Sequence, residues 1–267
     1  MNLRVRSSAP AADGTLIDVT PQSAGWAHVG FRVIRLEPGQ SFQGGEEGRE
    51  ACLVILSGRV SITAGDARFA RIGSRASVFD GPPTSVYVPA GLAFDICAES
   101  KAEIAICSAP GTGAGEARLI GPETIRQEVR GSGTNTRYVR NILDDQAQAE
   151  SLLVVEVITP AGHWSSYPPH KHDRNAFPQE TQLEETYYHR LSPPQGFAFQ
   201  RVYTDDRAID ETYAVEDGDV VMVPRGYHPV GAAHGYELYY LNVMAGPERK
   251  WIFANDPAHS WIVNQSG

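Results

Sequence analysis

The chain has 267 residues, a formal net charge of −9, 42% hydrophobic residues and 21% charged residues. This hydrophobic content is sufficient for a folded core, and an acidic chain without a Lys/Arg-rich run argues against a nucleic-acid or membrane surface. Three cysteines, Cys52, Cys97 and Cys107, occur in apolar runs without metal-ligand spacing. Together with the absence of a signal-peptide or membrane-span pattern, they predict a cytoplasmic protein with small buried thiols.

Short apolar segments separated by Gly and Pro turns fill the first part of the chain. The predicted strands are Phe31–Leu36, Cys52–Leu56, Val60–Thr63, Ser85–Val88 and Ala102–Cys107. Strands that recur about every 8–12 residues between such turns are typical of an all-β sandwich or barrel.

The middle of the chain is richer in glycine and polar residues. Ala109–Gly115 predicts a flexible connection, and Asn141–Asp145 predicts a short helical turn. The strand pattern then resumes with Leu152–Ile158, Phe197–Tyr203, Asp219–Val223 and Glu237–Met244. Because helical signals are almost absent, the sequence predicts an all-β protein.

The two halves of the chain resemble each other. Tyr87–Ala93 aligns with Met222–His228, and Glu50–Val54 aligns more loosely with Glu185–His189. This repeat predicts two tandem β-barrels, over residues 1–115 and 151–267, with a connecting segment at 116–150. Ala93 stands where His228 stands in the second half, so we expect no metal site in the first barrel.

Three histidines and a glutamate in the second half form a candidate metal site. His170 and His172 are two positions apart and therefore share one face of a strand, while His228 follows a Pro-x-Gly turn. Imidazole nitrogens with one carboxylate oxygen suit a divalent ion such as Zn, Mn, Fe or Ni. Glu185 is the predicted carboxylate ligand and Glu184 the alternative, since only one of two adjacent residues can face inward. The sequence predicts one ion per chain, in the C-terminal barrel.

Two segments resemble the signature motifs of the cupin superfamily. Residues 218–228 read Gly-x5-Pro-x-Gly-x-His, which is one residue shorter before the histidine than the usual second motif. Residues 162–185 resemble the first motif, with a longer gap between the histidines and the acid. The resemblance implies a bicupin, that is, tandem jelly-roll (double-stranded β-helix) barrels. Analogy with other cupins also implies a homo-oligomer.

A narrower resemblance lies in residues 170–174, 184–190, 196–206 and 224–229. These segments look like the 5-deoxy-glucuronate isomerase family of bacterial myo-inositol breakdown. The resemblance implies a small sugar-acid substrate and conversion of 5-deoxy-D-glucuronate to 5-dehydro-2-deoxy-D-gluconate. The alternatives are the 4-deoxy-5-hexosulose-uronate ketol-isomerase of pectin breakdown, a cupin metal dioxygenase and a non-enzymatic sugar-sensing cupin.

Such an isomerase needs a group that binds the substrate carboxylate, and an arginine fork is best suited to this. Arg201 alternates with Phe197, Phe199 and Tyr203 along a predicted strand. It is therefore either an anion anchor that lines the barrel or an exposed residue on a mixed face. The family resemblance favours the anchor, and Arg174, Arg190 and Arg225 are the alternatives.

The reaction also needs a base that moves a proton between adjacent carbons. Glu180 and Tyr187 are predicted as catalytic residues together with Arg201. Tyr187 lies two positions after Glu185, on the same strand face, although a core aromatic residue is an equally good interpretation. Other candidate bases are Glu184, His189, Tyr239 and a metal-bound hydroxide.

Overall fold

The computed structural model describes residues 2–265, which form two compact units. The N-terminal unit comprises Ser7–Arg126 and Asn141–Val154. The C-terminal unit comprises, within the described residues, 2–6, Gln127–Arg140 and 155–265. Residues 116–150, predicted as a connection, are thus divided between the two units.

β-Strands make up nearly all of the regular structure, as the sequence predicts. The strands of the first part are β1 Arg4–Val5, β2 Thr15–Val19, β3 Gly30–Leu36, β4 Ser41–Gly44, β5 Arg49–Ser57, β6 Val60–Ala64, β7 Ala67–Ile72, β8 Ser85–Val88, β9 Phe94–Ala98, β10 Ala102–Pro110 and β11 Arg118–Ile120. Those of the second part are β12 Arg126–Arg130, β13 Arg137–Leu143, β14 Leu153–Thr159, β15 Trp164–Ser165, β16 His170–Lys171, β17 Glu184–Ser192, β18 Ala198–Tyr203, β19 Asp210–Val215, β20 Val220–Val223, β21 Val230–Ala232, β22 Glu237–Ala245 and β23 Ala254–Asn255.

Helical structure in residues 2–265 is limited to three short segments. They are α1 Pro21–Ala24 and the 3-10 helices Gly133–Asn135 and Pro257–Gln265. Within the same residues, no helix is long and apolar enough to cross a membrane.

The N-terminal unit contains two antiparallel sheets around one core. The six-stranded sheet has the order β11-β8-β5-β10-β3-β2, and the four-stranded sheet has the order β4-β9-β6-β7. Their shared core includes Leu53 and Ile104 from the first sheet and Ile62 and Ile96 from the second, all completely buried. Alternate residues of β6 and β9 are buried, which is the pattern of strands with one face on a core.

Glu50 is a buried carboxylate within this unit. It accepts hydrogen bonds from the Tyr87 hydroxyl at 2.5 Å and from the backbone N–H groups of Glu150, Ser151 and Leu152 at 2.9, 2.6 and 2.6 Å. A buried carboxylate is stable only where such donors replace water. Glu50 therefore fixes the start of the segment that leads into β14.

The C-terminal unit is built on a seven-stranded sheet of order β1-β20-β17-β22-β14-β13-β12. A four-stranded sheet, β15-β21-β18-β19, and the two-stranded pair β16-β23 complete it. Strand β17 lies between β20 and β22 and is antiparallel to both. It is buried almost throughout, so its side chains have little access to water on either face.

The strand registers correct one alignment made from the sequence. Glu185 lies opposite Val223 in the β17–β20 pair, and Ala51 lies opposite Val88 in the equivalent β5–β8 pair. The counterpart of Glu185 is therefore Ala51 and not Glu50. Sequence similarity alone placed the two acids together because a shift of one residue leaves the apolar pattern of such continuously buried strands unchanged.

The helical turn predicted at Asn141–Asp145 is wrong. Strand β13 continues to Leu143, and Ile142 and Leu143 are buried in the sheet. The turn signal belongs to the residues that follow, where the Asp144 carboxylate accepts hydrogen bonds from the N–H groups of Gln146 and Ala147. Local turn chemistry thus begins only after the strand has ended.

The cysteines are all free thiols. Cys52 and Cys107 are buried and Cys97 is half-buried. Burial raises the pKa of Cys52 to about 12, so this thiol stays protonated and unreactive.

Candidate metal centre

Three of the four predicted metal ligands lie together in the C-terminal unit. The ligand atoms of His172, Glu185 and His228 lie within 4.8 Å of one another, and all three residues are buried. Glu185 Oε2 is 2.9 Å from His172 Nε2 and 3.2 Å from His228 Nε2. Of the two adjacent acids, Glu185 lies in this cluster and Glu184 does not.

Backbone carbonyl groups orient both imidazole rings. His172 Nδ1 lies 3.0 Å from the carbonyl oxygen of Leu183, and His228 Nδ1 lies 2.8 Å from that of Gly226. A carbonyl oxygen can only accept, so each Nδ1 carries the hydrogen. Each neutral ring then presents a lone pair at Nε2, which is the usual arrangement of a metal-binding histidine.

The converging atoms require a positive charge between them. Two Nε2 atoms and one carboxylate oxygen converge on the same space, and His228 Nε2 makes no hydrogen bond of acceptable geometry. Such a buried acceptor is costly unless a proton or a metal ion supplies the missing partner. The donor set therefore fits a divalent ion coordinated by nitrogen and oxygen.

The pKa values of His172 and His228 shift in opposite directions, and these shifts indicate which of the two rings would hold a proton. Burial lowers the pKa of His228. Burial also opposes a charge on His172, but its hydrogen bond to Glu185 and the charge of that carboxylate outweigh this and raise the pKa of His172. A metal ion here would compete with a proton on His172, so we expect its affinity to fall at low pH.

His170 lies beside this group but outside it. Its ring meets the His228 ring edge-on with centroids 4.9 Å apart, and it packs against Phe253 at 4.4 Å. Burial, followed by the nearby rings of His228 and His172, lowers the pKa of His170 well below its usual value. His170 is thus a neutral imidazole adjacent to the three clustered ligands.

Aromatic and hydroxyl groups surround the cluster. The buried Tyr187 ring lies 5.6 Å from the His228 ring and 4.9 Å from the Tyr240 ring. The Tyr187 hydroxyl is 2.8 Å from Ser166 Oγ, and the Tyr240 hydroxyl bonds Ser165 Oγ. Burial raises the pKa of both tyrosines, so both hydroxyls stay neutral.

Tyr187 is therefore a residue that the structure brings to the cluster, as its position on the strand predicts. Tyr239, the alternative tyrosine on β22, instead donates to Glu156 at 3.0 Å. Sequence reasoning missed Tyr240, although the alternation along β22 places it on the opposite face from Tyr239.

Glu180 is placed away from the clustered ligand atoms. One carboxylate oxygen accepts hydrogen bonds from the N–H groups of Asp173 and Arg174 at 2.6 and 3.2 Å, and the other pairs with the Arg174 guanidinium at 3.0 Å. The Asp173 carboxylate in turn accepts from the Gly226 N–H at 2.6 Å. Glu180 thus holds the loop after His172, and a role as catalytic base receives no support from this placement.

Gly226 occupies a backbone position that other residues avoid. Its φ is +101°, and a Cβ built there would lie 2.6 Å from the carbonyl oxygen of Tyr203. We expect Gly226→Ala to lower the free energy of unfolding by about 2 kcal/mol, because alanine is strained at this φ and its Cβ meets the Tyr203 carbonyl. We also expect a lower metal content, because the Gly226 carbonyl oxygen orients the His228 ring. Urea unfolding and metal analysis test this.

Gly235→Ala is the matched control for that change. Gly235 also has a positive φ, +87°, but a Cβ there meets nothing within 4 Å. We expect this variant to lose about 1 kcal/mol from strain alone and to keep its metal. An equal decrease in the free energy of unfolding of the two variants would show that the contact with the Tyr203 carbonyl does not affect stability.

Arg201 lies on the outer face of β18. The side chains of this strand alternate, with Gln200 and Val202 buried and Phe199 and Arg201 exposed. Arg201 forms a two-point ion pair with Asp210, with distances of 2.8 and 2.9 Å. The prediction that Arg201 lines the barrel is therefore corrected. Phe197 and Phe199, two of the alternating aromatic residues that suggested an inner face, are themselves exposed, whereas Tyr203 is buried.

On the inner face, Gln200 Oε1 accepts a hydrogen bond at 2.8 Å from Nε2 of the buried His189. Burial lowers the pKa of His189 to about 4, against the opposing effect of this hydrogen bond. Because the unfolded value is about 6.5, the neutral ring stabilises the folded state above pH 6.5. This contribution, about 3 kcal/mol, is lost as the pH falls to 4.

We therefore expect the free energy of unfolding of the wild-type protein to fall by about 3 kcal/mol more than that of His189→Gln between pH 7 and 4. Urea unfolding of both proteins at several pH values measures this difference. The same pH dependence in the two proteins would contradict it.

Comparison with known proteins identifies the family. The family model described as KduI/IolB matches residues 3–262. The chain belongs to the KduI/IolB family. Among curated members, a 5-deoxy-glucuronate isomerase of Geobacillus kaustophilus (strain HTA426) is 53% identical, with 98% of this chain and 95% of the relative covered. One of Bacillus subtilis (strain 168) is 49% identical, with 98% of each chain covered.

Solved structures agree with this family assignment. The crystal structure of an IolB-like protein from Salmonella typhimurium LT2 has a TM-score of 0.96 and 51% identity, and covers 98% of this KduI/IolB chain and 100% of its own. A variant of Bacillus subtilis oxalate decarboxylase has a TM-score of 0.65 at 16% identity, with coverages of 95% and 79%. That second likeness shows the fold alone. The predicted all-β bicupin fold is confirmed.

Proposed function

We propose that this protein is an aldose–ketose isomerase that converts 5-deoxy-D-glucuronate to 5-dehydro-2-deoxy-D-gluconate in inositol catabolism, with one divalent metal ion in the C-terminal unit. The buried His172–Glu185–His228 cluster is the observation that carries the proposal. Curated relatives about half identical over nearly the whole chain bear the name 5-deoxy-glucuronate isomerase. His170 would be the fourth ligand, because its neutral ring adjoins His228.

A bound divalent ion would supply a Lewis acid that polarises the substrate carbonyl. In the reaction the aldehyde carbon gains the hydrogen that the adjacent carbon loses, and one proton passes between the two oxygens. Tyr187, whose hydroxyl stays neutral beside the cluster, suits donating a proton to a substrate oxygen. Ser166 holds that hydroxyl in place. The burial of these groups keeps water from competing for the same hydrogen bonds.

A single site per chain agrees with the residues of the N-terminal unit. Ala51 occupies the strand position equivalent to Glu185, and Ala93 stands where His228 stands. Neither alanine offers a ligand atom. The ion can be Zn, Mn, Fe or Ni, since all accept this donor set. Assembly into a homo-oligomer stays a prediction from the cupin analogy.

The test is an anaerobic turnover assay with defined metals. Protein stripped of metal is loaded with Zn²⁺, Mn²⁺, Fe²⁺ or Ni²⁺ and mixed with 5-deoxy-D-glucuronate, and the product is followed by NMR. We expect isomer formation without oxygen and only with metal present. A strict oxygen requirement, or turnover confined to 4-deoxy-5-hexosulose-uronate, would overturn the proposal in favour of a dioxygenase or of the pectin-pathway isomerase.

A further inference from the structure

Arg137 is a partly buried arginine without an acidic partner. It begins β13, and its guanidinium donates one hydrogen bond, from Nη1 to the carbonyl oxygen of Asn135 at 3.0 Å. Across residues 2–265, no carboxylate is paired with it. Other arginines of limited exposure do have such partners: Arg140 pairs with Glu156 at 2.8 Å and Arg190 with Asp217 at 2.9 Å. Arg137 therefore keeps most of its hydrogen-bond donors available.

Asn135 connects Arg137 to the segment beside the metal cluster. Its carbonyl oxygen accepts the hydrogen bond from Arg137, and its side-chain Nδ2 donates to the carbonyl oxygen of Tyr167 at 2.8 Å. Tyr167 follows Ser165 and Ser166, whose hydroxyls bond Tyr240 and Tyr187. The guanidinium is therefore linked through one residue to the serines that contact these two tyrosines.

The remaining charge near Arg137 is also positive. Arg130 interacts with it, and the Arg130 guanidinium stacks over the Trp251 ring at 4.9 Å while pairing with Glu128 at 2.6 Å. The negative charge of Glu128 is therefore engaged by Arg130. A partly buried cation without an anionic partner is unfavourable. An anionic ligand would therefore bind Arg137 without first displacing a carboxylate of the protein.

The segment that Asn135 links to Arg137 carries neutral hydroxyl groups. Ser165 and Ser166 contact the hydroxyls of Tyr240 and Tyr187. Ser166 has a φ of +50°, a left-handed conformation that a serine rarely adopts and that costs about 1–3 kcal/mol. The surrounding structure maintains this strained residue where its hydroxyl bonds Tyr187. A guanidinium fork with neighbouring O–H groups is the chemistry that recognises a carboxylate.

We propose that Arg137 binds the carboxylate of the sugar-acid substrate while the carbonyl end reaches the His172–Glu185–His228 cluster. The carboxylate and the aldehyde stand at opposite ends of the carbon chain in 5-deoxy-D-glucuronate, so the two ends need separate binding groups. The identity of the substrate here rests on the proposed function. Arg137 then determines specificity for a sugar acid over a neutral sugar.

The test compares the acid with its neutral counterpart, 5-deoxy-D-glucose, which carries a hydroxymethyl group in place of the carboxylate. Arg137→Met is expected to lower kcat/KM for the acid about 100-fold, mainly through KM, and to leave the neutral sugar nearly unchanged. Arg137→Lys is expected to lower kcat/KM for the acid about tenfold, because lysine keeps the charge but lacks the planar guanidinium fork. If Arg137 had a purely structural role, its substitution would lower kcat/KM equally for the two substrates, and this result would overturn the proposal.

Isothermal titration with 5-deoxy-D-glucuronate gives a readout that does not depend on turnover. We expect the wild-type protein to bind the acid and Arg137→Met to bind it at least about 50-fold more weakly, with unchanged metal content. Arg207→Met, an exposed arginine of the same unit, is the control and should bind as the wild type does. If the wild type binds the acid without isomerising it, the proposed function fails while the titration still decides the role of Arg137.

Three results would overturn the assignment of Arg137. They are equal affinity of the wild type and Arg137→Met for the acid, no affinity of the wild type for the acid, and loss of acid preference in Arg201→Met instead. If Arg137→Met does not fold, the ratio of kcat/KM for the acid to kcat/KM for the neutral sugar is compared between Arg137→Lys and the wild type instead. An unchanged ratio would overturn the proposal.

Discussion

Glu185→Gln is expected to lose the metal ion and to lower kcat/KM about a thousandfold. The carboxylate is the one anionic ligand in a buried cluster whose other atoms are neutral imidazole nitrogens. Glutamine has nearly the same shape but no charge, so it weakens the site without creating a cavity. Removing Lewis-acid stabilisation of several kcal/mol corresponds to a factor of this size. Metal content by mass spectrometry and steady-state kinetics measure the two effects.

Glu184→Gln is the matched control, since it makes the same chemical change one position earlier on β17. Glu184 is outside the cluster, so we expect this variant to keep one metal equivalent. His228→Ala should behave like Glu185→Gln, because it leaves the site one ligand short. Full metal content with normal turnover in either cluster variant would contradict the assigned site.

Glu50→Ala is expected to lower the free energy of unfolding by about 4 kcal/mol. The substitution leaves the Tyr87 hydroxyl and the N–H groups of Glu150, Ser151 and Leu152 without their buried acceptor. Each buried unsatisfied donor costs about 1–3 kcal/mol, and partial rearrangement keeps the total below the simple sum. Urea unfolding followed by circular dichroism measures the loss.

Two further variants separate this network from a general effect of charge. Tyr87→Phe removes one of the four donors and should cost about 1 kcal/mol. Glu46→Ala removes an acid whose side chain is 70% exposed, and should change stability by less than about 0.5 kcal/mol. A loss for Glu50→Ala no larger than that of Glu46→Ala would show that the hydrogen bonds add nothing to stability.

The grouping of His172, Glu185 and His228 could be predicted from the sequence in part, because short-range signals mark the two histidines. The His-x-His spacing and the Pro-x-Gly turn both act within a few residues. Alternation along a strand also predicted His170 in the group, but β16 ends at Lys171 and His170 lies outside the group. The choice of Glu185 over Glu184 depends on which residue lies opposite Val223. Strand register is a long-range property, so the acid could be named from the sequence only by family resemblance.

The arginines show where sequence reasoning ends. Arg201 was favoured because aromatic residues alternate with it, yet this pattern does not distinguish the inner face of a strand from an exposed one. Arg137 follows a glycine-rich polar segment that carries no apolar periodicity, and nothing local indicates its link through Asn135 to Tyr167. Its lack of an acidic partner becomes visible only when the whole unit has been assembled.

Strand β1 has a consequence for how the protein is made. Arg4 and Val5 lie opposite Val221 and Val220, and the Leu3 carbonyl oxygen accepts a hydrogen bond from the Met222 N–H. A ribosome therefore synthesises β1 first and β20 only after residues 6–219. Until the two strands meet, β20, which borders the strand of Glu185, has an unpaired edge. Closure of so long a loop is entropically slow, so we expect strand exchange between copies to be the main error during synthesis.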